Sequence, residues 1–365
     1  MAEPFKNLVG PASVERLAAA FLSDDPSRTA AFTEAALAGL AGMELKARVA
    51  HVARLLRRQL PAAFPEALAR LVAALPPHES DLMGHSWLWP VLQVVEDEAA
   101  AHPAESLAAL AQMTSRFSAE FALRPLLARH PALAYATLRE WARSPDEHVR
   151  RLVSEGSRPR LPWGMQLRAA VADPEPGLAL LARLVDDPSP YVRRSVANHL
   201  GDVAKDHPER AVAIAGEWLT DRPDRLPLVR HGLRSLLKRG HTGALALVGN
   251  STAPVEVTDL AVTPNPARVG ESFTVCATVV GEGRVRVDVV WAWPAARGGW
   301  SSRTFVGKER ELAEGERWAF STRVSLRPVT TRPMRPGPQR ATLRVAGQEF
   351  GPVEFTLVEP SGALS

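Results

Sequence analysis

LREWARSPDEHVRRLVSEG, residues 138–156, and LARLVDDPSPYVRRSVANHL, residues 181–200, are two copies of one pattern set 43 residues apart. In each copy an apolar helix end runs into a turn rich in Pro and Asp, and a second amphipathic helix starts near Val-Arg-Arg. A third copy, EWLTDRPDRLPLVRHGLRSLLKRG at 217–240, carries a longer turn before Val229. Upstream, FALRPLLARHPALAYATL at 121–138 reads as a more divergent unit, and the first hundred residues supply further short helices without a readable repeat. From about residue 12 to 249 the chain therefore reads as an all-helical array, rich in Ala and Leu.

A period in the low forties belongs to stacked helix pairs, and it predicts a HEAT-like repeat solenoid whose second helices commonly line the concave side. After Gly249 the texture changes. Ala277-Thr-Val-Val, Val285-Arg-Val-Asp-Val-Val-Trp-Ala-Trp, Trp318-Ala-Phe-Ser-Thr-Arg-Val and Ala341-Thr-Leu-Arg-Val alternate or are β-branched, with Gly and Pro turns between them. Roughly seven short strands in about a hundred residues predict an all-β antiparallel sandwich. The expected organisation is a helical domain over 1–249, a linker at 250–254 around Asn250-Ser-Thr-Ala-Pro, and a β domain over 255–360.

With 46% apolar and 23% charged residues the chain has an ordinary globular composition, which suggests neither a disordered nor a membrane protein. It has no apolar run of about 18 residues, and MAEPFKNLVG lacks the features of a signal peptide, so a cytoplasmic location is expected. Cys276 is the single cysteine, which excludes an internal disulfide framework and any cysteine-based zinc site. A net charge of +4 points only weakly to a polyanionic partner; the positive balance lies in the middle and at the end of the chain.

The helix expected from about Tyr191 gives that balance a direction. Val192, Val196, Leu200 and Val203 fall at helical spacing and face the core, which leaves Arg194, Asn198 and Asp202, with Lys205 just beyond, on the opposite stripe. A shift of 43 puts Arg151 and Glu155 in the equivalent places of the preceding repeat, and alignment on Val229 puts His231, Ser235 and Arg239 in the following one. Such a stripe suits a phosphate backbone, although solvated helix faces and protein-binding scaffolds carry similar residues. In Glu155-Gly-Ser-Arg-Pro-Arg-Leu-Pro-Trp163 two prolines force the chain out of helix and leave Trp163 at a turn. There the indole either plugs the core or offers its face to a cationic base. Glu120, near an expected helix start, Glu155 and Asp202 supply carboxylates nearby in sequence, each of which also has an ordinary account as a helix-end charge or an ion-pair partner.

Four ordered blocks, Ser118-Ala-Glu-Phe-Ala-Leu-Arg-Pro125, Val149 to Trp163, Tyr191 to Pro208 and Val229 to His241, closely resemble the AlkC branch of the AlkC/AlkD alkylpurine DNA glycosylases. The C-terminal region resembles the immunoglobulin-like domain of one AlkC subgroup, most clearly in Leu326-Arg-Pro-Val-Thr-Thr-Arg-Pro-Met-Arg-Pro-Gly337, although Met334-Arg335 stands where relatives tend to carry aromatics. The resemblance implies a monofunctional glycosylase that excises cationic N3-methylated bases, 3-methyladenine and 3-methylcytosine, by bending the duplex without enclosing the base in a deep pocket. It implies Asp202 and Glu120 as the carboxylates at the reacting sugar, Trp163 against the lesion, and Glu155 and Arg158 around it. For DNA binding it implies Arg151, Arg160, Arg194, Asn198, Lys205, Arg230, His231, Arg234 and Lys238 on the helices, and Arg327, Thr330, Thr331 and Arg332 on the β domain. A cationic base is already a good leaving group, so neither a cofactor nor a metal is expected, and the expected partner is double-stranded DNA bound by a monomer. The competing reading is a non-catalytic repeat scaffold that binds DNA or protein. A metal-dependent nuclease fits poorly, because Glu120, Glu155 and Asp202 lack a tight ligand spacing.

Overall fold

The computed structural model describes residues 5–77, 83–328 and 334–360, so Thr330, Thr331 and Arg332 lie outside the described residues. The chain divides into two compact units, Met1–Asp206 and His207–Ser365. Among the described residues, sixteen α-helices precede six strands. None of these helices is long and apolar enough to cross a membrane.

Prolines open many of the helices, including Pro103–Met113, Pro131–Trp141 and Pro190–Asp206, where the missing N–H costs nothing because no carbonyl waits for it. Other starts are capped by side chains: Asp146 accepts from the His148 N–H (2.7 Å) ahead of Glu147–Gly156. The stripe Val192, Val196, Leu200 and Val203 is at most 1% exposed, as its spacing requires, and each such side chain contributes roughly 1.5–3 kcal/mol on burial.

The Val-Arg-Arg motif splits into two jobs. Arg150 Nη1 donates to the Ser144 and Pro145 carbonyls at 2.9 and 3.0 Å. One repeat later Arg193 Nη1 donates to the Asp187 and Pro188 carbonyls at 2.6 and 3.0 Å. The first arginine of each pair thus closes its own inter-helix turn, and Arg150 also grips the Asp187 carboxylate with two nitrogens (2.6 and 2.9 Å). Only the second arginine, Arg151 or Arg194, is left for the other face.

In the second unit, β1 (Glu256–Thr263), β2 (Ala267–Arg268), β3 (Ser272–Pro294), β4 (Trp300–Ser325), β5 (Gly337–Val345) and β6 (Gln348–Val358) form one hydrogen-bonded sheet in the order β1-β3-β5-β6-β2, with β4 paired to β3. The register breaks between Gly281 and Gly283, where Gly283 takes a φ of 72°. The stretch of β3 before this bend pairs with β1 and the end of β4, and the stretch after it pairs with β5 and the start of β4. The halves face each other, with the Phe273 ring 5.7 Å from Trp291 and 4.7 Å from Phe355. This is an immunoglobulin-like sandwich. It has six strands where about seven short ones were expected, because β3 and β4 run on through the bend.

Four helices, from Pro208–Asp221 to Thr242–Leu247, belong to the same compact unit as the sheet. Gly240 and Gly347 make the approach possible: a Cβ on Gly240 would lie 2.9 Å from Gly347 Cα, and one on Gly347 would lie 2.6 Å from the Gly240 carbonyl oxygen. The expected linker is pinned here too. Asn250 is buried, the Ser251 N–H donates to Arg284 O (2.8 Å), and Ala253 O accepts from Gln348 (3.2 Å).

Candidate active site

Arg151 and Glu155 stand one helical turn apart on Glu147–Gly156 and so share a face. The helix ends at Gly156, which packs closely on Leu123: a Cβ there would sit 2.6 Å from Leu123 Cδ2. Beyond it the Pro-rich turn carries Trp163 in left-handed geometry, φ 63°, with 58% of the residue exposed. A bulky residue adopts that conformation only where its surroundings impose it.

The imposing group is Arg124. Its side chain is completely buried, and its guanidinium donates to Gly156 O and Arg158 O (both 2.9 Å), Pro159 O (3.4 Å) and Met165 O, reaching both arms of the turn. Burial, reinforced by the nearby Arg158 cation, pushes its pKa down to about 10, so it remains charged at neutral pH. From the other side Lys46 Nζ donates to the carbonyl of Trp163 itself.

A ladder of alternating charge runs beneath the turn. Arg151 bonds Glu120 and lies 3.6 Å from Glu155. Arg158 then joins Glu155 (2.6 Å) to Asp202 (2.7 Å), and Lys205 closes the series on the other Asp202 oxygen (2.8 Å). Hydroxyls fix the carboxylates: Ser118 donates to Glu120, Ser195 to Glu155, and Ser154 to Ser195, each at 2.7 Å. Burial works to raise the Glu155 pKa, but Arg151, Arg158 and the Ser195 hydroxyl outweigh it and hold the carboxyl below the usual range.

Above the ladder lies a cleft of about 550 Å³ whose lining includes Glu120, Glu155, Arg151, Arg158 and the aromatic rings of Phe5, Trp89, Phe117, Phe121, Tyr191 and Trp163. Trp89 stacks on Phe121 (5.4 Å between centroids, 5° between planes), Phe5 meets Trp163 edge-on (6.1 Å), and Arg151 lies over Tyr191 (5.2 Å). Flat π-faces beside two carboxylates favour a planar cation.

The structure thus brings Glu120, Arg151, Glu155, Arg158 and Trp163 into one cleft. Glu120 sits in the turn that leads into the helix Arg124–Arg129, near a helix start as expected. Asp202 departs from its sequence-based position on an open polar stripe: it is 1% exposed and lies behind Arg158, outside the cleft lining. Arg160 pairs with Asp206 (2.7 Å), Arg194 is exposed, and Asn198 is half-buried. In the second unit Arg230 reaches Glu309 and Val248 O (both 3.4 Å), Arg234 donates to His231 O (2.7 Å), and Arg234, Lys238 and Arg327 are exposed. Sequence reasoning missed Arg124, Lys46, Phe5, Phe121 and Tyr191. Arg124, Phe121 and Tyr191 lie inside blocks that carried the family resemblance, which was the available signal, whereas Lys46 and Phe5 had none.

A family model described as the C-terminal Ig-like domain of the uncharacterised protein YhaZ matches residues 256–359. The uncharacterized protein YhaZ of Bacillus subtilis (strain 168) is 34% identical over 316 residues, covering 86% of this chain and 87% of the relative. The solved structure of Pseudomonas fluorescens alkylpurine DNA glycosylase AlkC, bound to DNA containing an abasic site analog, superposes with a TM-score of 0.87 at 32% identity, covering 98% of this chain and all of that one.

Proposed function

Because this chain belongs to the AlkC-type family of alkylpurine DNA glycosylases with a C-terminal immunoglobulin-like domain, we propose that it hydrolyses the N-glycosidic bond of cationic N3-methylated bases, 3-methyladenine and 3-methylcytosine, in double-stranded DNA. The observation that carries this reading is the cleft, in which aromatic faces and the Glu120 and Glu155 carboxylates converge.

The chemistry needs little from the enzyme at the base. N3-methylation leaves a positive charge on it, so the departing base takes the C1′–N electron pair and becomes neutral without an acid to protonate it. The π-face of Trp163 favours the cation as it approaches. The growing positive charge on the sugar is met by carboxylates, with Glu120 at the cleft and Asp202 behind it. Water then attacks C1′ and gives its proton to Asp202.

For Asp202 to do this, one of its two cations must leave. Arg158 is the one that stands between Asp202 and the cleft and has to turn aside, while Lys205, with half its side chain exposed, can turn to a DNA phosphate. Phe5 and Trp163, both largely exposed, border a cleft that opens to the surface, consistent with reaching a base in a bent duplex without enclosing it. Arg327, with Thr330, Thr331 and Arg332, would provide a second hold on the bent backbone.

The test is single-turnover release of bases from methylated duplex DNA, with chelator present, by the wild type and by Asp202→Asn. The expected result is release by the wild type and a loss of roughly 10²–10³-fold in the variant with DNA binding retained. No release by a folded wild type would favour the non-catalytic scaffold.

A further inference from the structure

Trp163 divides two cavities. On one side is the aromatic cleft. On the other is a groove of about 480 Å³ lined by Phe5, Lys6, Glu44, Leu45, Lys46 and Trp163. Phe5 and Trp163 belong to both linings, so the groove and the cleft adjoin across one aromatic wall.

Cations of the first unit differ in what holds them. Arg151, Arg158, Arg160 and Lys205 each have a carboxylate partner. Lys46 is exposed and, among the described residues, no carboxylate lies within ion-pair distance of it, although its charge reaches Glu96; its ammonium is held by the uncharged Trp163 carbonyl and lies 5.8 Å from the centre of the Phe121 ring. Among the described residues the Lys6 ammonium pairs only with Glu44, at 3.6 Å, and Glu44 is 86% exposed, a solvent-screened pair of small worth. Two loosely held ammonium groups thus stand in a groove whose lining includes one carboxylate, Glu44, at the edge of a site for DNA.

We propose that the Lys6–Lys46 groove is a backbone-phosphate site for the strand whose base enters the neighbouring cleft, with Lys46 as its main cation. This rests on the glycosylase reading of the cleft. It adds the N-terminal helices to the DNA surface, where no motif pointed to them. Holding the phosphate from the same ammonium that binds the Trp163 carbonyl ties the strand's position to that of the indole.

The test is the salt dependence of binding to a short duplex carrying an abasic-site analogue, followed by anisotropy from about 50 to 200 mM salt. Each phosphate contact contributes about 0.9 to the slope of log K against log salt, so Lys46→Met should flatten the slope by about 0.9 and Lys6→Met/Lys46→Met by up to about 1.8. At about 0.1 M salt each lost contact weakens binding roughly eightfold. Lys46→Arg should keep the wild-type slope, whereas a lysine that merely braces Trp163 would leave the slope unmoved when replaced by Met. A slope unchanged in Lys46→Met overturns the proposal. Base release by the wild type, measured on the same preparation, separates the two claims: release with an unmoved slope sinks the phosphate site alone, and a flattened slope without release sinks the glycosylase reading alone.

Discussion

Replacing Arg124 with lysine should damage the site through Trp163 and through nothing else. The guanidinium reaches four carbonyls on the two arms of the turn, from Gly156 to Met165. A lysine ammonium can occupy the place of Nη1 and keep Gly156 O and Arg158 O, but it has no second nitrogen for Pro159 O and Met165 O. Two charge-assisted hydrogen bonds are lost, worth ~3–6 kcal/mol together. Against this the turn stores the left-handed strain of Trp163, ~1–2 kcal/mol, which the clamp no longer offsets. The indole should therefore leave its place for much of the time. The functional loss is capped by what the indole contributes to holding a desolvated cationic base, ~2 kcal/mol, or roughly 30-fold in rate.

A double-mutant cycle measures this directly. Single-turnover excision should fall roughly 30-fold in Arg124→Lys and by about the same in Trp163→Ala, and the double variant should be no slower than Trp163→Ala alone. Losses that multiply to about 10³ in the double variant would refute the reasoning, because they would show Arg124 acting on the reaction by a route that does not pass through the indole.

Two further predictions concern stability. His199 is fully buried, and burial pushes its pKa down to about 4 against the pull of the Ser154 carbonyl on Nδ1. The unfolded chain takes this proton near pH 6.5, so the first unit should lose stability as pH falls from 6.5 toward about 4, by about 2 kcal/mol between pH 7 and 4.5; denaturant titrations should find that slope removed in His199→Asn, and its persistence would place the proton elsewhere. Gly240→Ala should lower the melting temperature of the second unit, because the new Cβ falls 2.5 Å from Arg344 Cδ and 2.9 Å from Gly347 Cα at a φ of 75°. The cost should be ~2–4 kcal/mol, against ~1 kcal/mol at Gly249, which has a φ of 80° but open space around it, and equal effects at the two positions would show that crowding at the seam is not the cause.

What could be read in advance depended on the range of the interaction. The repeat was legible because a helix pair writes its own period, and the Trp163 turn because Pro159 and Pro162 act on their immediate neighbours. The sandwich was legible from alternation, but the number of strands was not, since alternation does not say whether a chain bends at Gly283 or ends there. Asp202 was misplaced for a different reason. Helical spacing correctly puts it opposite Val196 and Leu200, yet the cover over that face comes from Arg158, in the Pro-rich turn of the preceding repeat 44 residues earlier, which helical spacing does not orient. The same limit hid Arg124. An arginine followed by proline at a helix start looks like any surface charge, and only the carbonyls of residues 156–165 turned toward it explain why a full cation is buried there. Both residues act across repeat boundaries, where the 43-residue pattern carries no information. The sequence-readable half of this site is consequently the part each repeat builds for itself, and the part that holds the repeats in register around the cleft had to be seen in three dimensions.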